Sequence, residues 1–227
     1  MTERDSGGRI IRQGRAIRTR KMILSAAAAA FDDHGYGGTT IADICQRAGM
    51  TKGALYFHFD TKEDLAVAVL AAQFDDFTIP PRELALQELI DAGYLLCHQY
   101  KISSIQRGAA RIVMDEGSDR LGRKDSMQMW ADIVIGFLTE SRKRGELLTS
   151  VHIPDVGWFI NAAFAGVQNM SQAFDGRATL THRLTVMWEH TLPTIAVPST
   201  LGKLKIGPER YEMVAEEYEA LHANERR

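Results

Sequence analysis

TTIADICQRAGMTKGALYFHFDTKEDL, residues 39–65, holds two short amphipathic helices and the turn that joins them. Thr40 stands where a helix N-cap belongs, with Asp43 three residues later as an acidic variant of the capping box. Ile41, Ile44 and Cys45 recur on one face and predict the buried side of that helix. Gly49 permits a sharp turn, after which Thr51 can cap a second short helix running to about Phe59. Upstream, RTRKMILSAAAAAFDDHGY (18–36) is rich in alanine, the strongest helix former, and repeats Ile23, Ala27, Ala30 and Phe31 at helical spacing until Gly35 ends it. A longer helix packed across two short ones joined by a glycine turn is a helix-turn-helix unit. Thr61 caps a fourth helix over 62–77, which stops before Pro80 and Pro81.

Further on, the periodicity predicts helices over about 82–100, 104–116, 125–144, 154–174 and 178–193, and no alternating strand pattern competes with them. Gly117 with Asp119, Gly145, Gly176 and Pro193 mark helix ends, and Pro154 with Asp155 marks a start. Past Pro198, residues 208–222 carry Tyr211, Val214, Tyr218 and Leu221 on one stripe; this last helix either packs on the body or extends a dimer contact. The expected fold is all-α. A flexible basic arm (1–14) precedes a helix-turn-helix domain (15–62), a helical body (63–198), to which the family resemblance given below assigns ligand binding and dimerisation, and a C-terminal helical appendage (199–227).

Charge points to the amino-terminal end. The whole chain carries a net −2, yet residues 1–62 hold ten Lys and Arg against six acids. Arg9, Arg12, Arg15, Arg18, Arg20 and Lys21 lie in a stretch with no acid at all, which marks the basic end as the DNA face. Cys45 and Cys97 lie far apart and form no CxxC pattern, so neither a disulfide framework nor a metal site is expected, and no cofactor is implied. The amino terminus is polar and no apolar run approaches the roughly 18 residues of a membrane span, so a cytoplasmic protein without membrane contact is expected. His98 or His152 as a base, with Asp115 and Glu116 as acids, lack any nucleophile or phosphate-cradling loop beside them; no catalytic residue, and no enzyme, is expected.

In a helix-turn-helix the second helix enters the major groove, where early side chains meet base edges and flanking groups grip phosphates. Here Lys52 can donate to guanine, while Thr51 offers a hydroxyl and a methyl. Gly53 removes a side chain where the backbone approaches the sugar-phosphate wall. Tyr56 and His58 can donate to phosphates, Lys62 at the start of the fourth helix can form a second clamp, and Thr40 joins the same set. Leu55, Phe57 and Phe59 read as packing. The arm, with Arg15 and Arg18, either tracks the backbone or lies in the adjacent minor groove.

The segment from Arg15 to Leu65, RAIRTRKMILSAAAAAFDDHGYGGTTIADICQRAGMTKGALYFHFDTKEDL, resembles the amino-terminal domain of the tetracycline-repressor family. The resemblance implies an all-helical homodimer with a DNA-binding head and a larger ligand-binding body, and puts Thr51, Lys52, Tyr56, His58 and Lys62 on DNA. RAIRTR with TKGALYFHF, then MWADI (129–133) and AAFAGVQNMSQ (162–172), is similar to the gamma-butyrolactone autoregulator receptors of filamentous actinomycetes. Those repressors leave their operators on binding a diffusible signal and release antibiotic production; relatives answer to furans, butenolides or antibiotics.

That likeness makes Trp130 the first candidate ligand contact, with Val134 one turn on; Ile160, Phe164 and Gln168 follow at four-residue spacing, and Gln168 can hydrogen-bond the signal. Core packing is the alternative for Trp130, Phe164 and Gln168. Ala165 stands where such receptors often carry Thr, which removes a pocket hydroxyl. Arg82, Gln87, Tyr94, His98 and Tyr100 are candidates for the cavity mouth. The last two body helices resemble the family's dimer interface, with Trp158, Ala162, Leu184, Met187 and Trp188 as its apolar face. The expected partners are a pseudopalindromic operator duplex, a small-molecule signal and a second copy of the chain. An orphan regulator without a hormone ligand, and an architectural DNA binder, are the competing readings.

Overall fold

The computed structural model describes residues 6–75, 77–115 and 120–223, with side chains from Arg15 onward. Gly117, Asp119 and Glu116 lie outside the described residues, as do residues 1–5 and the side chains of Arg9 and Arg12. Eleven helices are described: α1 Ser6–Gly38, α2 Ile41–Ala48, α3 Lys52–Tyr56, α4 Lys62–Ala72, α5 Ala85–Ile102, α6 Ser104–Met114, α7 Arg123–Lys143, α8 Ile153–Asp175, α9 Leu180–Ile195, α10 Pro198–Leu201 and α11 Pro208–His222. Leu147 and Ala196 form a single isolated bridge, and no strand occurs among the described residues.

Most boundaries follow from local chemistry. Thr40 and Thr61 open α2 and α4 with reciprocal capping boxes, each exchanging hydrogen bonds with the acid three residues on, Asp43 and Asp64. Gly49 and Gly176 close α2 and α8 in the left-handed conformation. Gly35 (φ 69°) kinks α1 where its end was expected. Other boundaries differ. α1 already starts at Ser6, so the backbone of the expected arm is helical from there. α3 ends at Tyr56 rather than near Phe59, although Phe59 N–H still donates to Leu55 O. α9 runs past Pro193 to Ile195, because a proline in the last turn forfeits only one hydrogen bond before the helix stops.

The chain forms two compact units that are not sequential. The first comprises Met1–Phe77 with Ser103–Ser126, the second Thr78–Ile102 with Met127–Arg227. The head thus recruits α4 and α6, which the linear division had assigned to the body. A glycine explains the capture of α6: a Cβ on Gly108 would stand 2.4 Å from Ala28 O, so only glycine allows α6 to lie against α1 this closely. Arg107 Nε donates to Asp32 at 2.8 Å across the same contact. Ile23, Ala27, Phe31, Ile44, Leu55, Leu65, Val69 and Ile112 share one buried core, so α3 is held from beneath on a packed platform.

In the second unit α5 is buried along nearly its whole length and packs on α9 and α11. Gly93 brings α5 close to α9, with Leu184 and Trp188 against its bare Cα, and Gly157 brings α8 closer still to Ile135 of α7. The appendage is part of this unit. Asp91, fully buried on α5, is paired with Arg82 and with Arg210 of α11, and Arg82 also grips Glu217. Gln87 exchanges two hydrogen bonds with the backbone of Lys205 (2.8 and 3.0 Å). Val214 is buried; Leu221, expected on the same stripe, is exposed.

Candidate nucleic-acid interface and body site

Thr51 caps α3 by accepting Ala54 N–H at 3.3 Å, which fixes the helix start and leaves Lys52 and Gly53 facing solvent. A Cβ added at Gly53 would meet no heavy atom within 4 Å. The protein itself therefore has no steric need for glycine there. Tyr56 is 47% exposed and His58 half-buried, one turn further on. Arg15 and Arg18 lie exposed on α1, and Arg20 stacks its guanidinium 4.9 Å from the centre of the Phe59 ring. Thr51, Lys52, Gly53, Tyr56, Arg15 and Arg18 are thus solvent-facing in the same unit.

Three residues behave differently from expectation. Phe57 is 84% exposed, with His58 edge-on at 5.3 Å, whereas Leu55 and Phe59 are buried. α3 ends before Phe57, and its ring is left outside the platform. Lys62 is tied inward: its ammonium donates to Tyr36 O and Thr39 O, both at 2.9 Å, and lies 4.4 Å from the centre of the Tyr36 ring. Two of its three protons are spent on carbonyls at the kink of α1, so it fastens α4 to α1 rather than projecting a free clamp. The Thr40 hydroxyl donates to Asp43 at 2.7 Å and accepts Asp43 N–H at 3.2 Å, which commits its proton to the cap. The hydroxyl's bond to the Asp43 carboxyl, and then that of the Thr40 backbone N–H at 2.9 Å, hold this carboxyl below its ordinary value. Thr39 also escaped the pattern reading: buried, it donates to Ala30 O and Gly35 O and locks the α1–α2 corner.

The body gathers Phe164 and Gln168 but spends their contacts internally. Phe164 stacks on Tyr100 of α5 at 6.4 Å, and Arg177 lies 4.7 Å from the centre of the same Tyr100 ring. Arg177, just past α8, has φ 70°, the one non-glycine positive φ among the described residues, and its Nε donates to Gln168 at 3.2 Å. Gln168 is buried with that oxygen engaged. Burial pushes the Tyr100 phenol up to about 12, against the pull of Arg177. Trp130 and Val134 are half-buried on α7, and Ala165 half-buried on α8. The proposed cavity-mouth row is corrected: Arg82, Gln87, Tyr94 and His98 hold the appendage through Glu217, Lys205, Gly207 and Glu219. The dimer face is corrected as well, since Leu184 and Trp188 point into their own body.

The profile of the bacterial regulatory proteins of the tetR family matches residues 23–69, from the core of α1 to α4. The A-factor receptor protein of Streptomyces griseus is 34% identical over 194 residues, covering 86% of this chain and 70% of that protein. The chain belongs to the tetR family. Among solved structures, full-length native TylP, a tetR regulator from Streptomyces fradiae, matches this tetR protein with a TM-score of 0.83 at 38% identity, over 90% of this chain and 99% of TylP. An ArpA-like gamma-butyrolactone receptor matches with a TM-score of 0.68 at 25% identity, over 91% and 98%. The helical head with its helix-turn-helix is thus a tetR-family DNA-binding head, and no helix among the described residues is long and apolar enough to cross a membrane.

Proposed function

We propose that this tetR-family regulator is a repressor that grips a pseudopalindromic operator as a homodimer and is released by a small diffusible signal of gamma-butyrolactone, butenolide or furan type, thereby controlling antibiotic or other secondary-metabolite genes. The observation that carries the DNA half is the amino end of α3, where Lys52 and an unneeded-by-packing Gly53 stand bare on a rigid platform. Lys52 reads a base edge; Thr51, Tyr56 and His58, with Arg15 and Arg18 of α1, hold phosphates. Likeness to the A-factor receptor supports the signal half.

Dimerisation uses the outer face of α8. Trp158 (66% exposed), Phe159, Met170 and Phe174 (83%) stand in water there, and Trp158, Ala162 and Met170 fall on one four-residue stripe. A two-fold pair presents two copies of α3 to half-sites about 34–36 Å or somewhat more apart. The signal acts by favouring a head spacing that fits DNA poorly, through linked equilibria. Trp130, Val134 and Phe164 are the apolar contacts of the ligand in the body.

One observation favours the orphan-regulator reading: the oxygen of Gln168 is already taken by Arg177, and Ala165 offers no hydroxyl. A gel-shift titration at fixed salt separates the two. It uses the duplex upstream of the protein's own gene with butyrolactones, butenolides and alkyl furan acids. Release by one class supports the repressor; tight, specific binding unmoved by every compound supports the orphan.

A further inference from the structure

Phe57 turns its ring away from the core of the head. It is 84% exposed, more than any other large apolar side chain among the described residues, while Leu55 and Phe59 on either side of it are buried. Its direction follows from helix geometry. Phe57 N–H donates to Gly53 O at 3.2 Å, and its φ of −67° and ψ of −23° are still helical, so the residue continues the α3 spiral although the helix ends at Tyr56. At 3.6 residues per turn Phe57 lies about 200° round from Leu55, which sets it opposite the platform, and only about 40° from Gly53 one turn earlier. A bare glycine and an exposed phenyl ring thus share the outer crest of α3. His58 stands edge-on to the ring at 5.3 Å, with an interplanar angle of 89°, and braces it.

A single exposed apolar ring is ordinary on a protein surface, so the place of this one matters more than its exposure. It stands at the end of the reading helix, one turn from the bare Gly53 and five residues from Lys52. We propose that Phe57 reads thymine: its ring packs on the 5-methyl group of a thymine in the major groove of each half-site. The proposal rests on the operator-binding reading above and adds a base identity to it. A phenyl ring has no hydrogen-bond donor or acceptor to offer a phosphate, so it cannot share the work assigned to Tyr56 and His58. The thymine methyl is the only alkyl group that a base pair shows in the major groove, and it lies at the margin of the groove nearest its own strand's backbone. That is the wall to which Gly53, on the same crest, is assigned. At the helical rise Phe57 lies about 7.5 Å along α3 from Lys52, which is about two base-pair steps from the base that Lys52 reads.

The test uses the full-length protein and the duplex upstream of its own gene, trimmed to the footprinted operator, with each thymine replaced in turn by deoxyuridine. That replacement removes the methyl and nothing else. Fluorescence anisotropy at fixed salt should find a thymine in each half-site whose replacement weakens wild-type binding about fourfold, and about fifteenfold when both half-sites are changed together. Phe57→Ala should bind the all-thymine operator more weakly by at least the same factor and should no longer distinguish thymine from deoxyuridine at that position. Wild-type binding indifferent to every deoxyuridine overturns the assignment; a ring that touches only sugar and phosphate, or that wedges between base steps, gives that outcome. A Phe57→Ala protein that keeps the full wild-type loss on deoxyuridine overturns it as well, since the methyl is then read by another residue. Wild-type protein with no preferred site on the duplex counts instead against the operator-binding reading, and this inference falls with it. The deoxyuridine series is read on wild-type protein, so a poorly folding Phe57→Ala leaves the test intact.

Discussion

Replacing Gly53 by alanine separates what the protein needs from what its DNA needs. The added methyl meets nothing within 4 Å, and the position carries no positive φ, so the fold gains no strain. Gly53 is the second residue of α3, where alanine is the better helix former, so stability should stay level or rise by up to about 1 kcal/mol, a shift of roughly 0–4 °C in Tm for a chain of this size. On the operator the same methyl is pushed against the sugar-phosphate wall. Overpacking costs about 1–3 kcal/mol per contact, hence about 2–6 kcal/mol for the two heads of a dimer, and the affinity should fall at least about thirtyfold. Fluorescence anisotropy on operator duplex at fixed salt, with thermal melts of the same preparations, measures both numbers. Wild-type affinity in Gly53→Ala, or a lost affinity accompanied by a collapsed Tm, would refute the placing of this backbone against DNA.

Three further outcomes are expected. Lys62→Met strands two carbonyls at the α1 kink and should cost about 1–3 kcal/mol of stability while leaving the salt dependence of DNA binding unchanged; a slope reduced by about one per head would restore Lys62 as a phosphate contact. Asp91→Ala leaves Arg82 and Arg210 without their buried carboxylate, so α11 should become a site of limited proteolysis and stability should drop by about 3–5 kcal/mol; an appendage as resistant as wild type would contradict the tie. Because hydrogen bonds from Thr40 depress the Asp43 carboxyl, its share of stability is present above the ordinary Asp value of 3.8 and lost as pH falls through the lower folded value. NMR titration should put its midpoint below 3.8, and Thr40→Val, which removes the hydroxyl but keeps the backbone N–H bond, should raise it toward that value; a wild-type midpoint at or above 3.8 would show the capping box open in solution.

The head was legible because its signals are local. Thr40, Gly49, Thr51 and Thr61 specify caps and a turn within four residues of themselves, and alanine-rich α1 declares its buried face by spacing alone. What depends on a distant partner was not. Gly108 looks like a weak point in a helix until Ala28 is found against it, and nothing near Lys62 in sequence announces Tyr36 O and Thr39 O as its acceptors. Arg82, Gln87, Tyr94 and His98 form a polar row on and just before α5, but helix phase gives only a direction, and the occupant is the appendage more than a hundred residues on. Leu184 and Trp188 illustrate the same limit, since an apolar stripe fits an intermolecular contact and a core equally well until Gly93 is seen beneath it. Phe57 failed for the opposite reason: a helix expected to run on to Phe59 takes Phe57 in as packing, whereas α3 stops one residue short of it.

The most direct measurement is a hydroxyl-radical footprint of the wild-type protein, beside Lys52→Ala, on the region upstream of its own gene. Two-fold symmetric protection, with half-sites about one helical turn or slightly more apart, is predicted for the wild type. Lys52→Ala should reduce the preference for that site over random DNA by about 1–3 kcal/mol per half-site. Uniform protection without symmetry, or discrimination untouched by removing Lys52, would contradict sequence reading by α3.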